Sequence, residues 1–207
     1  MEHWFGGGHP SALMSARIVE GMEPHFVATL AAAEGLFGVP LLIKNAWNCF
    51  RVAYLAQALS AARFIWIRRD ISAAAKSDLA ARYATKGSPT AWNSATPANV
   101  EALRRLPPAA QVVENQHAFN SAIETGLREH AQGRWHAVWY EDFCTDPEGV
   151  LSVLAAFLAR PLTKCADGIA ISEGGTWRLS GDDERIIEAY LAEHAGRLLS
   201  ARHPDMA

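Results

Sequence analysis

The stretch Ala62-Arg63-Phe64-Ile65-Trp66-Ile67-Arg68-Arg69-Asp70 decides the fold. Four branched or aromatic residues run together between arginines, without the polar alternation of a half-exposed strand. Such a run predicts a buried strand of a parallel sheet. After Arg69 and Asp70 a helix is expected to begin near Ile71. Two similar runs flank it in sequence: PLLIK at residues 40–44 and WHAVWY at residues 135–140. Three strands are therefore expected.

Helical patterns separate these runs. Val52, Leu55, Ala56 and Leu59 follow the i, i+3, i+4, i+7 spacing, as do Val150, Leu151, Leu154, Phe157 and Leu158 behind Asp146 and Pro147. Phe119, Ile123 and Leu127 predict a helix over about 110–131, and Ile187, Tyr190, Leu191, His194 and Leu198 predict the last one. Residues 11–37 read as mostly helical, interrupted at Gly21, Pro24 and Gly35. Residues 85–108 read as a loop with a short helix after Thr96 and Pro97. Alternating strands and helices predict an α/β fold: three layers, with a mostly parallel sheet flanked by helices. No composition break marks a domain boundary, so residues 1–207 are expected to form a single domain.

The bulk numbers restrict function. The 207 residues are 50% hydrophobic and 20% charged, with a net charge of −3 and a pI near 6.2. That balance suits a globular chain and gives no sign of a nucleic-acid partner. Cys49, Cys144 and Cys165 are odd in number and far apart. They form neither a disulfide framework nor a metal cluster. The first residues carry no secretory signal and no apolar run reaches membrane length. A soluble, cytoplasmic protein is expected.

In an open parallel sheet, ligands bind beyond the carboxyl ends of the strands. There the sequence places Lys44 with Trp47 and Asn48, then Arg69 with Asp70, then Tyr140 with Glu141 and Asp142. Two cations beside a helix N-terminus predict an anion site, to which the backbone N–H groups of residues 71–73 would add. Arg69 offers a planar fork for phosphate oxygens. Ser77 follows it by eight residues, about two helical turns. Asp70 is equally consistent with a structural ion pair.

These boundaries carry a resemblance. The runs LLIKNAWN (residues 41–48), ARFIWIRRD (62–70) with Ser77, and WYEDFCTDP (139–147) with Phe157 and Leu158 resemble the bacterial sulfotransferase family. The resemblance covers about residues 40–199 and implies a P-loop-like fold. It implies 3′-phosphoadenosine 5′-phosphosulfate (PAPS) as cofactor and sulfuryl transfer to a hydroxyl or amine of a small-molecule, glycan or peptide acceptor. Carried over by position, Arg69 and Ser77 bind the 3′-phosphate and Tyr140 lies by the adenine. Lys44 stabilises charge at the transferred group. The run GTWRLS (175–180) resembles the family's C-terminal segment and implies that Trp177 and Arg178 close over the nucleotide. Trp47, Asn48 and Trp92 are expected at the acceptor side.

The pattern also departs from the family. Members begin with a strand and a Pro-Arg/Lys-Ser-Gly-Thr loop that holds the 5′-phosphosulfate. The nearest candidate here, FGGGHPS at residues 5–11, lacks a basic residue. Only 43 residues precede Lys44, so an N-terminally incomplete fold is expected. Either a partner chain then fills the exposed sheet edge, a homodimer being one form of this, or the fold rearranges. Ala46 stands where relatives carry Pro, or a His two positions after the lysine serves as base. His117 is the candidate base, with His9 and His25 behind it. A non-catalytic family remnant that binds a nucleotide or a protein is the competing reading. A P-loop kinase ranks below both, because GxxxxGK(S/T) is missing.

Overall fold

The computed structural model describes residues 21–92, 95–162 and 178–198. Two strands, β1 (Phe64–Arg68) and β2 (Trp135–Trp139), pair in parallel with Phe64 opposite Trp135 and Arg68 opposite Trp139. Period-2 alternation sets Phe64, Trp66, Trp135 and Ala137 on one face. There they pack against Val52 and Ala56 of α2 (Val52–Ala58) and Ile123, Leu127 and Ala131 in and just after α5 (Pro108–His130). The other face carries His136, whose ring lies 5.5 Å from that of Phe157 on α7 (Pro147–Leu158). Helix, sheet and helix thus form three layers, as the strand–helix alternation predicts.

The third expected strand does not form. Residues 40–45 have no ladder partner among the described residues, and Leu42 and Ile43 face solvent. A run of branched residues favours extended backbone, but a strand exists only where a neighbour supplies its hydrogen bonds. Gly35 does not interrupt α1 (Glu23–Phe37). The helix ends instead at Gly38, whose φ of 67° is the left-handed C-cap conformation that glycine adopts without strain. Residues 1–20, including the FGGGHPS run, lie outside the described residues.

The remaining helices follow the sequence closely. Asp70 caps α3 (Ile71–Ala81), and Asp146 caps α7 by accepting from Gly149 N–H at 2.9 Å. Among its described residues the long loop holds the end of a π-helical turn (Arg82–Lys86) and the short α4 (Val100–Leu103), and α6 (Tyr140–Thr145) starts directly at the end of β2. Helix α8 (Gly181–Glu193) lies against α3 and α5, with Ile187 fully buried beside Ile71, Leu79 and Val112. At Gly126 of α5, a Cβ would sit 2.8 Å from Val52 Cβ, so glycine there allows α2 and α5 to touch.

One arginine locks the entry side of the sheet. Arg134, immediately before β2, donates to the carbonyls of Leu59, Ser60, Ala62, Ala56 and His130 at 2.8–3.2 Å. Its own carbonyl accepts from Phe64 N–H at 2.8 Å. A single guanidinium therefore ties the ends of α2 and α5 to the start of both strands.

Candidate functional site

The two consecutive arginines at the end of β1 point to opposite faces. Arg68 turns toward the α5 side and lies between the rings of Trp66 and Trp139, 4.6 and 4.4 Å from their centroids. Burial lowers the pKa of its guanidinium, eased by Glu124 and reinforced by Arg128. Arg69 turns the other way, and its guanidinium carbon stands 4.9 Å above the ring of Tyr140. These two residues follow the last rung of the ladder, Arg68 with Trp139, so parallel register alone brings them together. The Tyr140 phenol is held above its ordinary pKa, chiefly by a hydrogen bond with Cys144 and then by burial, against a downward pull from Arg69. It is a neutral hydroxyl at pH 7.

Carboxylates organise the same rim. The Asp70 side chain accepts from Ala73 N–H at 2.9 Å, and the Asp70 N–H donates to Glu141 Oε1 at 3.0 Å. Glu141 thereby ties the start of α6 to the start of α3, a structural contact across the two strand ends. The cap also corrects the anion site expected at residues 71–73: Ala73 N–H is already engaged by Asp70. Two turns along, Ser77 is half-buried and makes no hydrogen bond among the described residues. On the flank of α3, Glu188 of α8 accepts from Ser72 Oγ at 2.6 Å and pairs with Lys76 Nζ at 2.6 Å.

The other sequence-predicted residues lie apart from this pair. Lys44 is exposed in the irregular stretch before the 3-10 turn Ala46–Phe50 and has no ion pair among the described residues. That turn is capped by Asn45, which accepts from Trp47 N–H at 2.8 Å, and Asn48 Oδ1 is buried within it. Trp92 packs on the fully buried Arg82, 4.6 Å from its guanidinium carbon, and donates to Ala95 O at 3.1 Å. His117, on α5, has Glu114 and Arg197 as charged neighbours, and burial lowers its pKa. Arg178 is exposed, and Trp177 lies outside the described residues.

Two groupings have little sequence signal. Glu114 receives Tyr190 Oη at 2.7 Å and both terminal nitrogens of Arg197, so α5 is clamped to α8 and the turn after it. An open cleft of about 500 Å³ lies between α5 and the 3-10 turn, lined by Cys49, Phe50, Ser121, Thr125, Glu129 and His130 among others. None of the residues predicted for donor binding lines it. Burial pushes the Cys49 thiol up to about 12.

A paired strand end with an arginine over a tyrosine, a capped helix behind it and an acidic tie between them is the arrangement that the motif order anticipates. A family model described as the sulfotransferase family matches residues 7–164, three quarters of the chain. The chain belongs to the sulfotransferase family. That sulfotransferase match takes in both strands, Lys44, Arg69, Ser77 and Tyr140, and the stretch from Gly7 to Ser11. No curated protein and no solved structure matches the chain. Among the described residues of this sulfotransferase family member, no helix is long and apolar enough to cross a membrane. No group of three or more metal-ligating side chains assembles among them.

Proposed function

We propose that this protein transfers a sulfuryl group from PAPS to a hydroxyl or amine acceptor. The Arg69–Tyr140 pair carries the reading: a fixed cation stacked on an aromatic ring at the carboxyl end of a parallel sheet. The chemistry of the pair fits the donor. A planar guanidinium suits the ribose-attached phosphate, and the ring of Tyr140 offers a face beside the adenine. Ser77 adds a hydroxyl on α3, the helix that follows Arg69, and Arg178 with Trp177 would close the nucleotide side.

The donor, when bound, supplies an activated sulfuryl group. This chain's own contribution is binding, orientation and charge. Lys44 stabilises negative charge at the transferred group, Trp47 and Asn48 contact the acceptor, and the His117 imidazole, kept neutral by burial, takes the acceptor proton. Trp92 is committed to covering Arg82, so its part at the acceptor side is limited to shaping the loop. The free Cys49 and Cys144 suit a cytoplasmic location.

A second reading, a binding-only member with impaired transfer, draws on the exposure of Lys44. Two measurements decide. Calorimetric titration with adenosine 3′,5′-bisphosphate should show binding that Arg69→Ala weakens by roughly 1.5–3 kcal/mol, the scale of a charge-assisted hydrogen bond. Equal affinity in the variant removes Arg69 from the site. Transfer of label from radiolabelled PAPS to an acceptor mixture supports the enzyme; binding without transfer supports the second reading.

A further inference from the structure

The sequence between α1 and the 3-10 turn is unusually apolar and unusually uncovered. Leu36, Phe37, Val39, Leu42 and Ile43 are 81%, 65%, 58%, 88% and 49% exposed. Isolated exposed leucines are ordinary, but five large apolar side chains within eight residues form a patch that marks an interaction surface. The backbone beneath them is equally unfinished. Leu41 N–H reaches Glu34 Oε1 at 3.3 Å, while the N–H groups of Leu42 and Lys44 have no hydrogen-bond partner among the described residues.

We propose that this segment is a homodimer interface, in which residues 40–44 of two copies pair as antiparallel strands about a two-fold axis at Leu42. Alternation along an extended chain turns the backbone groups of residues 40, 42 and 44 to one edge and those of 39, 41 and 43 to the other. The Leu41 N–H is held within its own chain, so the free edge is that of Pro40, Leu42 and Lys44. Centred on Leu42, the two Leu42 residues exchange N–H···O bonds, and each Lys44 N–H meets the partner's Pro40 carbonyl. Pro40 has no N–H, and this register asks it only to accept. The antiparallel arrangement also sets each Lys44 ammonium across from a proline. Parallel pairing would stack lysine on lysine.

Area supports a second copy as the occupant. The five side chains offer on the order of 600 Å² per copy, and burying two such patches reaches roughly 1,200 Å², where stable specific interfaces begin. A lipid surface fits less well: Lys44 is the sole cation from residue 34 to residue 50, opposed by Glu34, whereas membrane-bound segments carry clusters of cations. The pairing would turn residues 40–44 into the strand that their sequence predicts. It requires no nucleotide, and it engages Lys44 through the backbone N–H, whereas the sulfuryl-transfer reading uses the ammonium.

Light scattering on the eluting protein tests the interface. The wild type should read as twice the 22.5 kDa chain at micromolar concentration. Leu42→Pro, which removes the central N–H, should read as a single chain with an unchanged far-ultraviolet circular dichroism spectrum. Leu42→Cys should cross-link under mild oxidation, because facing residues of a hydrogen-bonded antiparallel pair lie about 5.5 Å apart, within disulfide reach. Leu36→Cys, away from the axis, should not. A monomeric wild type, a Leu42→Pro variant that stays dimeric, or cross-linking through Leu36→Cys but not Leu42→Cys would each overturn the proposal. So would a monomer whose residues 42–44 are already protected from hydrogen exchange, since the segment would then be covered by its own chain. Vesicle binding by the monomer would assign the patch to lipid instead.

Discussion

Two arginines frame the same small sheet, and they do opposite things. Arg134 stands before β2 and spends its donors on five backbone carbonyls. Arg69 stands after β1 and lies over a ring that also faces the strand-end rim. The first satisfies groups that chain ends would otherwise leave unpaired. The second is held by stacking on Tyr140 at the rim where the strands end. One end of a parallel sheet is closed by internal bonding, and the other presents polar groups outward. That division of labour underlies ligand binding at strand carboxyl ends.

The largest effect should come from the closed end. Arg134→Ala leaves five carbonyls without their donor and should cost about 3 kcal/mol in urea unfolding. Arg134→Lys should recover only part of this, because an ammonium has three donors rather than a planar fork. Arg69→Ala should cost less, about 1 kcal/mol for the lost stacking on Tyr140, while weakening bisphosphate binding. A large stability loss there would erase the distinction between the two ends.

Next in size is the cap. Asp70→Ala should cost about 1 kcal/mol by releasing Ala73 N–H. Asp70→Asn should keep the cap, remove a negative charge beside Arg69 and raise bisphosphate affinity severalfold in calorimetry. Unchanged affinity would show that the carboxylate lies outside the field of the bound anion.

The smallest effect is the pH dependence at the α5–α8 clamp, far from either arginine. Arg197 holds the Glu114 carboxyl below its ordinary range, so the stabilisation is present above that range and is lost as pH falls through it. Burial holds His117 below its usual 6.5, so the unfolded chain takes up that proton first, and stability also declines as pH drops below about 6.5. Both act in one direction. The melting temperature should be flat near pH 7–8 and fall by a few degrees toward pH 5, then further below pH 4.5. Glu114→Gln should flatten the lower limb and, by removing the carboxylate that supports the His117 imidazolium, leave the upper limb at least as steep.

Much of this was legible in the chain. The run from Phe64 to Arg68 announces a parallel strand because it is apolar without polar alternation, although Ile67 on the second face proves 66% exposed; Asp146 announces a helix start because a carboxylate there meets free N–H groups. The neighbouring placement of Arg69 and Tyr140 follows once both runs are read as parallel strands in register. Other features were not legible. Residues 40–44 have strand composition, but pairing depends on a neighbour that composition cannot name. Arg68 and Arg69 look alike in sequence and differ only through alternation, which sends one between two tryptophans. The Glu114 clamp and, His130 aside, the Arg134 node join groups 72–83 positions apart, a distance no local pattern spans. Sequence also promised three backbone donors at the start of α3, and the Asp70 cap, which was not read from the sequence, consumes one of them.

The cleft beside the crossing of α2 and α5 has a chemical character of its own. With its thiol pushed up to about 12, Cys49 holds on the order of one thiolate in 10⁵ molecules at pH 7, and only the thiolate attacks electrophiles. An alkylating reagent or peroxide that enters meets Cys49 as the neutral thiol. A covalent probe designed for this cavity has to be aimed at the imidazole of His130 instead.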